Sequence, residues 1–150
     1  MDRIKISQNF FLDELINPTT YKRFGADSQR YIRPELIKIA QCIRSFTGLS
    51  VTINNWATGG VYSNSGLRDF NVSIGATYSA HKFGAGMDLK IGDLSSVQMA
   101  QIIIDNYEDI FKDLGVTRIE DPELTRGQNR DWLHIDTLFT GLETLKIIKP

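Results

Sequence analysis

Two histidines occur in this chain, and each sits in a short segment with other groups that metal-assisted hydrolysis uses. His81 lies in Ser79-Ala80-His81-Lys82-Phe83-Gly84-Ala85-Gly86-Met87-Asp88, and His134 in Asp131-Trp132-Leu133-His134-Ile135-Asp136. Imidazole is the commonest metal ligand, and a zinc ion that does chemistry takes about three protein ligands and keeps a position open for water. Two histidines and one carboxylate meet that need with nothing left over. A residual charge of about +1 on such a centre polarises a carbonyl and brings bound water toward a pKa of about 7. The competing reading is a pair of unrelated core or surface histidines, which a chain that uses histidine nowhere else makes less economical.

His81 and Asp88 are separated by a turn containing Gly84, so a loop residue and a strand residue can converge on one point. His134 comes from a distant segment, as expected where a rigid sheet positions an ion. Hydrolysis also needs a general base and a donor for the developing oxyanion. Asp131, three residues before His134, is one candidate base. It qualifies only if it escapes strand alternation, which the preceding Gly127-Gln128-Asn129-Arg130 would permit. Glu120, at the end of the preceding strand, is the second candidate. Either carboxylate could equally be a solvated surface group. Arg68, in Ser65-Gly66-Leu67-Arg68-Asp69, is the candidate clamp for an oxyanion or a carboxylate, because a guanidinium offers a fixed fork of donors. Asp136 shares a strand face with His134. It could orient that histidine from behind, or bind a metal itself in a two-histidine, one-carboxylate arrangement of the iron-oxygenase sort. Trp132, on the same face, could wall the site or simply pack in the core.

The elements that must hold these groups follow from periodicity. Asn9 would cap a short helix with Phe11, Leu15 and Ile16 facing inward, ended by Pro18. A second helix starts at Pro34, carries Leu36, Ile39, Ala40, Ile43 and Phe46 at helical spacing, and closes at Gly48. Ser50–Asn54 reads as a strand, and Gly86–Ile91 as another with Asp88 on its polar face. A helix begins at Ser95 or Ser96 and continues or restarts through Leu114. Val116–Glu120 and Trp132–Phe139 are close enough to pair as an antiparallel hairpin, and Leu142–Lys149 adds a last strand. The expected fold is therefore α+β, with a small, mainly antiparallel sheet flanked by helices. The segment from Asn55 to Gly75 is long for a compact domain, as binding loops and lids are.

Composition narrows the partners. The 150 residues suffice for one domain with a real core, here read as a single domain spanning 1–150 with residues 1–30 as an N-terminal helical extension. A formal net charge of −1 and scattered basic residues argue against a nucleic-acid partner. Cys42 is the lone cysteine, so there is no internal disulfide and no multi-thiolate metal site. Neither an export signal nor a membrane span is recognisable, so the expectation is a protein made in a cytoplasm and not inserted in a membrane.

Taken together, the two histidine segments resemble the zinc D-alanyl-D-alanine metallopeptidase family. That family contains carboxypeptidases, dipeptidases and phage L-alanyl-D-glutamate endopeptidases, and shares its fold with the hedgehog signalling domain. Its pattern, S-x-H-x-x-G-x-A-x-D followed much later by an acidic residue and an aromatic-x-H, is matched by Ser79, His81, Gly84 and Asp88 and by Trp132-Leu133-His134. Gly86 stands where the pattern has alanine. The resemblance covers roughly residues 30–140 and is specific at the two motifs only. It implies zinc held by His81, Asp88 and His134, an upstream arginine carried onto Arg68, and a catalytic acid at the offset of Asp131. It further implies a zinc peptidase that cleaves peptidoglycan stem peptides, phage-encoded, acting at the bacterial cell wall as a free endolysin or within a virion beside other virion proteins. The alternative is a virion structural or binding protein that keeps the fold without turnover.

Overall fold

The computed structural model describes residues 3–126 and 131–150. Its first regular helix, α1 (Pro18–Phe24), begins where the sequence suggested a stop. Asn17 is extended, its side-chain oxygen accepts the Thr20 N–H at 2.8 Å, and Pro18 takes the first helical position. A proline there forfeits an N–H that would have had no partner, so the same residue that would break a helix interior starts this one. The expected preceding helix is a single 3-10 turn, Leu12–Glu14.

Helix α2 (Pro34–Thr47) buries Leu36, Ile39, Ala40 and Ile43, and Gly48 ends it in the left-handed conformation. Phe46, expected on that stripe, is half exposed. Helix α3 (Ser96–Asp105) is capped by Ser95, whose side chain accepts the Gln98 N–H while Gln98 accepts the Ser95 N–H. It buries Met99, Ala100 and Ile103 and gives way to a π-helical turn at Tyr107–Phe111.

Five strands form one sheet: β1 (Val51–Thr52), β2 (Gly86–Ile91), β3 (Arg118–Glu120), β4 (Leu133–Asp136) and β5 (Lys146–Ile148). Their order is β1-β2-β4-β3-β5, with β5 parallel to β3 and the other neighbours antiparallel. The fold is thus α+β with a small, open, mixed sheet. Alternation sorts its faces. Met87, Leu89, Ile91, Ile119, Leu133 and Ile135 belong to the hydrophobic core, together with the inward residues of α2 and α3. Asp88, Lys90, Arg118, Glu120, His134 and Asp136 fall on the other face.

The N-terminal segment is packed into this body. Phe10, Leu12, Leu15, Ile16 and Tyr21 join the same core cluster. Their backbone also grips the long loop: Leu67 N–H donates to Leu15 C=O at 2.7 Å, and Asn17 N–H to Leu67 C=O at 3.1 Å. The Trp56 indole donates to Ile16 C=O at 2.9 Å. Gly66 must be glycine here, because a Cβ would run into the Leu15 carbonyl. Among the described residues, no helix is long and apolar enough to cross a membrane.

Candidate metal centre

Strand β2 pairs with β4 so that Asp88 lies opposite His134. On the other side of β4, Arg118 pairs with Asp136 and Ile119 with Ile135, so one further step in that register sets Glu120 opposite His134. One row across three strands therefore reads Asp88, His134, Glu120, and the next reads Gly86, Asp136, Arg118. His81 arrives from outside the sheet, on the 3-10 turn Ala80–Phe83, which Gly84 closes in the left-handed conformation.

These residues bring three atoms together. His81 Nε2 is 3.2 Å from Asp88 Oδ1 and 3.2 Å from His134 Nδ1, and His134 Nδ1 is 2.8 Å from Asp88 Oδ1. The remaining ring nitrogens face groups that can only accept. His81 Nδ1 lies 2.9 Å from Gly66 C=O, and His134 Nε2 lies 3.1 Å from Asp136 Oδ2. Each outer nitrogen accordingly carries its hydrogen, and in the neutral tautomers both inner nitrogens turn lone pairs toward a carboxylate oxygen. Three electron-pair donors at 2.8–3.2 Å need a cation between them. A proton is one solution. Burial works most strongly against charge on His134, yet its hydrogen bonds to Asp136 and Asp88 outweigh that and push its pKa up to about 9. Burial likewise opposes ionisation of Asp88 most, but both histidines beside it hold the carboxyl well below the usual carboxylate range. A metal ion is the other solution. Tetrahedral ligands at about 2.0–2.1 Å from an ion lie about 3.3 Å from each other, close to the spacing found. His81, Asp88 and His134 can thus hold a metal ion.

Each half of the trio has its own support. Asp136 is fully buried and accepts from Arg118 Nε and Nη2 at 2.8 and 2.7 Å and from Leu138 N–H at 3.1 Å. Burial disfavours its charge, but the hydrogen bonds from His134 and Arg118 lower its pKa on balance. An aspartate placed on the far nitrogen of His134 is not positioned to join the trio, so the His134-x-Asp136 ligand pair of the iron-oxygenase alternative is not assembled. Asp136 orients the histidine instead. Arg118 and the Gly66 carbonyl escaped the sequence reading. Arg118 becomes visible only once the hairpin register is known, and a backbone acceptor leaves no mark in side-chain chemistry.

Arg68 stands beside the trio, its Nη2 2.8 Å from Asp88 Oδ2 and its Nε donating to Asn64 C=O. Its side chain is 11% exposed, so it is no solvated loop arginine. Arg68 and Asp88 open onto a groove of about 340 Å³, walled by Tyr62, Ser65, Lys90 and Trp132. Trp132 is thus a wall of the groove, and the long loop supplies much of its lining.

The two candidate bases separate. Glu120 sits in the row of His134, adds to the pull that raises His134, and among the described residues makes no side-chain hydrogen bond or ion pair. Asp131 is not brought to the trio. Its Oδ1 accepts the Ser96 N–H at 3.3 Å at the first turn of α3, on the core side of the sheet. Asp131 does lie in an irregular entry, ahead of β4, but its side chain turns to α3 there; Gly127-Gln128-Asn129-Arg130, invoked to release it, lie outside the described residues. Gly86 packs tightly: a Cβ there would come within 2.8 Å of the Ala80 Cβ and 3.2 Å of His134 Cε1. No family model, curated protein or solved structure matches the chain.

Proposed function

We propose that the chain is a zinc-dependent peptidase of the D-alanyl-D-alanine metallopeptidase type, with a hedgehog-like zinc site, that hydrolyses stem peptides of bacterial peptidoglycan. The observation that carries the reading is the trio of electron-pair donors, pinned from behind and opening through its most exposed member, Asp88, onto a groove. Zinc, when bound, would supply a Lewis acid for the scissile carbonyl and lower the pKa of water. The chain's own residues account for the rest. Glu120, level with His134 and without a side-chain partner among the described residues, would take the proton of the attacking water and return it to the leaving amine. Arg68 is anchored through Nη2 and Nε, and Nη1, which has no hydrogen-bond partner among the described residues, would meet the developing oxyanion or a substrate carboxylate. Trp132 and Tyr62 would flank the peptide and exclude water.

The resemblance of the two motifs to wall-cleaving phage enzymes supports a phage lysin acting at the cell wall, free or within a virion. The test is peptidoglycan digestion followed by mass spectrometry, with metal analysis of the same protein. Zinc with new peptide termini is the expected result, and zinc without cleavage on any wall assigns the chain to a structural role. Within an active protein, Glu120→Gln should keep zinc and lose about 10²–10⁴-fold in turnover, while Asp131→Asn should lose far less. Arg68→Lys should retain zinc and lose roughly 10²-fold, since lysine lacks the fork. Full activity in Glu120→Gln would remove the assigned base.

A further inference from the structure

A second groove, of about 540 Å³, lies on the far side of Arg68, which lines both. Its lining carries Arg23, Arg30, Arg68 and Lys82 against one acid, Asp69. Two of those cations are engaged: Arg30 with Asp27 at 2.7 Å and Arg68 with Asp88 at 2.8 Å. Lys82 is different. It is only 8% exposed, and among the described residues its ammonium has no hydrogen-bond or ion-pair partner. Every fully buried side-chain nitrogen and oxygen that the structure describes does have one, so the Lys82 ammonium keeps some exposure, and Lys82 lines the groove. The stem is buried while the charged head keeps contact with solvent, so the ammonium is available to an anion in the groove. Arg23, on α1, stands over the Phe24 ring at 5.1 Å with no acid beside it among the described residues. Apolar walls flank these two cations: Phe24 packs on Tyr31 with ring centres 5.2 Å apart, and Phe70 on Phe83 at 5.7 Å. All four rings are at least 37% exposed.

We propose that this groove is a subsite for a carboxylate-bearing stretch of peptide, with Lys82 and Arg23 holding the carboxylate and the aromatic pairs covering the chain beside it. The identity of the peptide rests on the peptidase reading; the anion chemistry rests on the groove. Lys82 follows His81 in sequence and Arg68 joins the two grooves, so one extended substrate can occupy both. A stem peptide, with several free carboxylates on a short backbone, fits that demand.

The probe is the soluble tetrapeptide L-Ala-D-Glu-L-Lys-D-Ala and the same peptide with its carboxylates converted to carboxamides. Each is titrated into zinc-loaded full-length protein, with mass spectrometry of the peptide after each run. Affinity is read as Kd where the peptide stays intact and as KM where it is cleaved. In the wild type, amidation should weaken binding about 10- to 100-fold, the range of one charge-assisted hydrogen bond. Lys82→Gln should bind the acid form as weakly as the amide and lose the discrimination, with zinc content unchanged. Arg23→Gln, at an exposed position where folding is not at stake, should lose a smaller part of it and decides the matter if Lys82→Gln does not fold. Equal binding of acid and amide peptides overturns the subsite, as do unchanged discrimination in the variants and phosphate bound as tightly as peptide. Discriminating binding without cleavage would count against the peptidase and leave the subsite standing; cleavage indifferent to Lys82 and Arg23 would do the reverse.

Discussion

The two histidines of the trio are held by different kinds of structure. His134 belongs to the sheet: it stands on β4, and behind it a buried aspartate is gripped by an arginine from the neighbouring strand. His81 belongs to the loops: it stands on a four-residue 3-10 turn and leans on the Gly66 carbonyl, which the N-terminal segment holds in place through Leu15 and Asn17. One side is fixed by a charged pair in a regular ladder, the other by backbone bonds between irregular segments. The N-terminal residues 3–30 thus support the candidate site through the loop they hold rather than by joining the trio.

The largest effect should come from removing either histidine, since the halves are equal as ligands. His81→Ala and His134→Ala should each lose more metal affinity than the about 10²-fold that a supporting hydrogen bond is worth, and should no longer gain thermal stability on adding zinc. Zinc at full stoichiometry in both variants would end the metal assignment.

A sharper separation of the halves comes from Gly66→Ala. The new methyl group must displace the Leu15 carbonyl, and overpacking of this kind costs about 1–3 kcal/mol. Thermal unfolding should show that loss, and zinc affinity should fall with it because the acceptor for His81 moves. A variant as stable and as tight for zinc as the wild type would show that the N-terminal segment does not set the position of His81.

The gentlest probe is Asp136→Asn on the sheet side. The amide oxygen still accepts from His134 while the charge that Arg118 neutralises is gone, so zinc affinity should drop about 10–100-fold with the fold retained. Calorimetric titration of zinc reads it directly. An unchanged affinity would mean that ring orientation, rather than the carboxylate charge, is all that Asp136 provides.

Much of the scaffold was legible in advance. The stripe Leu36, Ile39, Ala40, Ile43, the stop at Gly48, the cap at Ser95 and the extent of β2 all appear where periodicity and capping chemistry put them. The convergence of His81, Asp88 and His134 was legible as well, from residue type and the two faces of a strand. Pro18 was misread because a proline that ends one helix and a proline that begins another look alike until the cap at Asn17 is seen.

What the sequence determined by itself was local. The 3.6-residue and two-residue periods decide which side chains share a face, so Asp88, His134 and Asp136 were bound to lie on the polar side of their strands. Tertiary structure decided everything that depends on how strands slide and where loops return. The register of β3 on β4 put Glu120 level with His134 and set Arg118 against Asp136, and the chain entering β4 set Asp131 against the first turn of α3. The contact of Leu15 with Leu67 placed the Gly66 carbonyl behind His81. Those choices rest on backbone hydrogen bonds between segments up to about 50 residues apart, and a backbone N–H or C=O is the same group whatever side chain it carries.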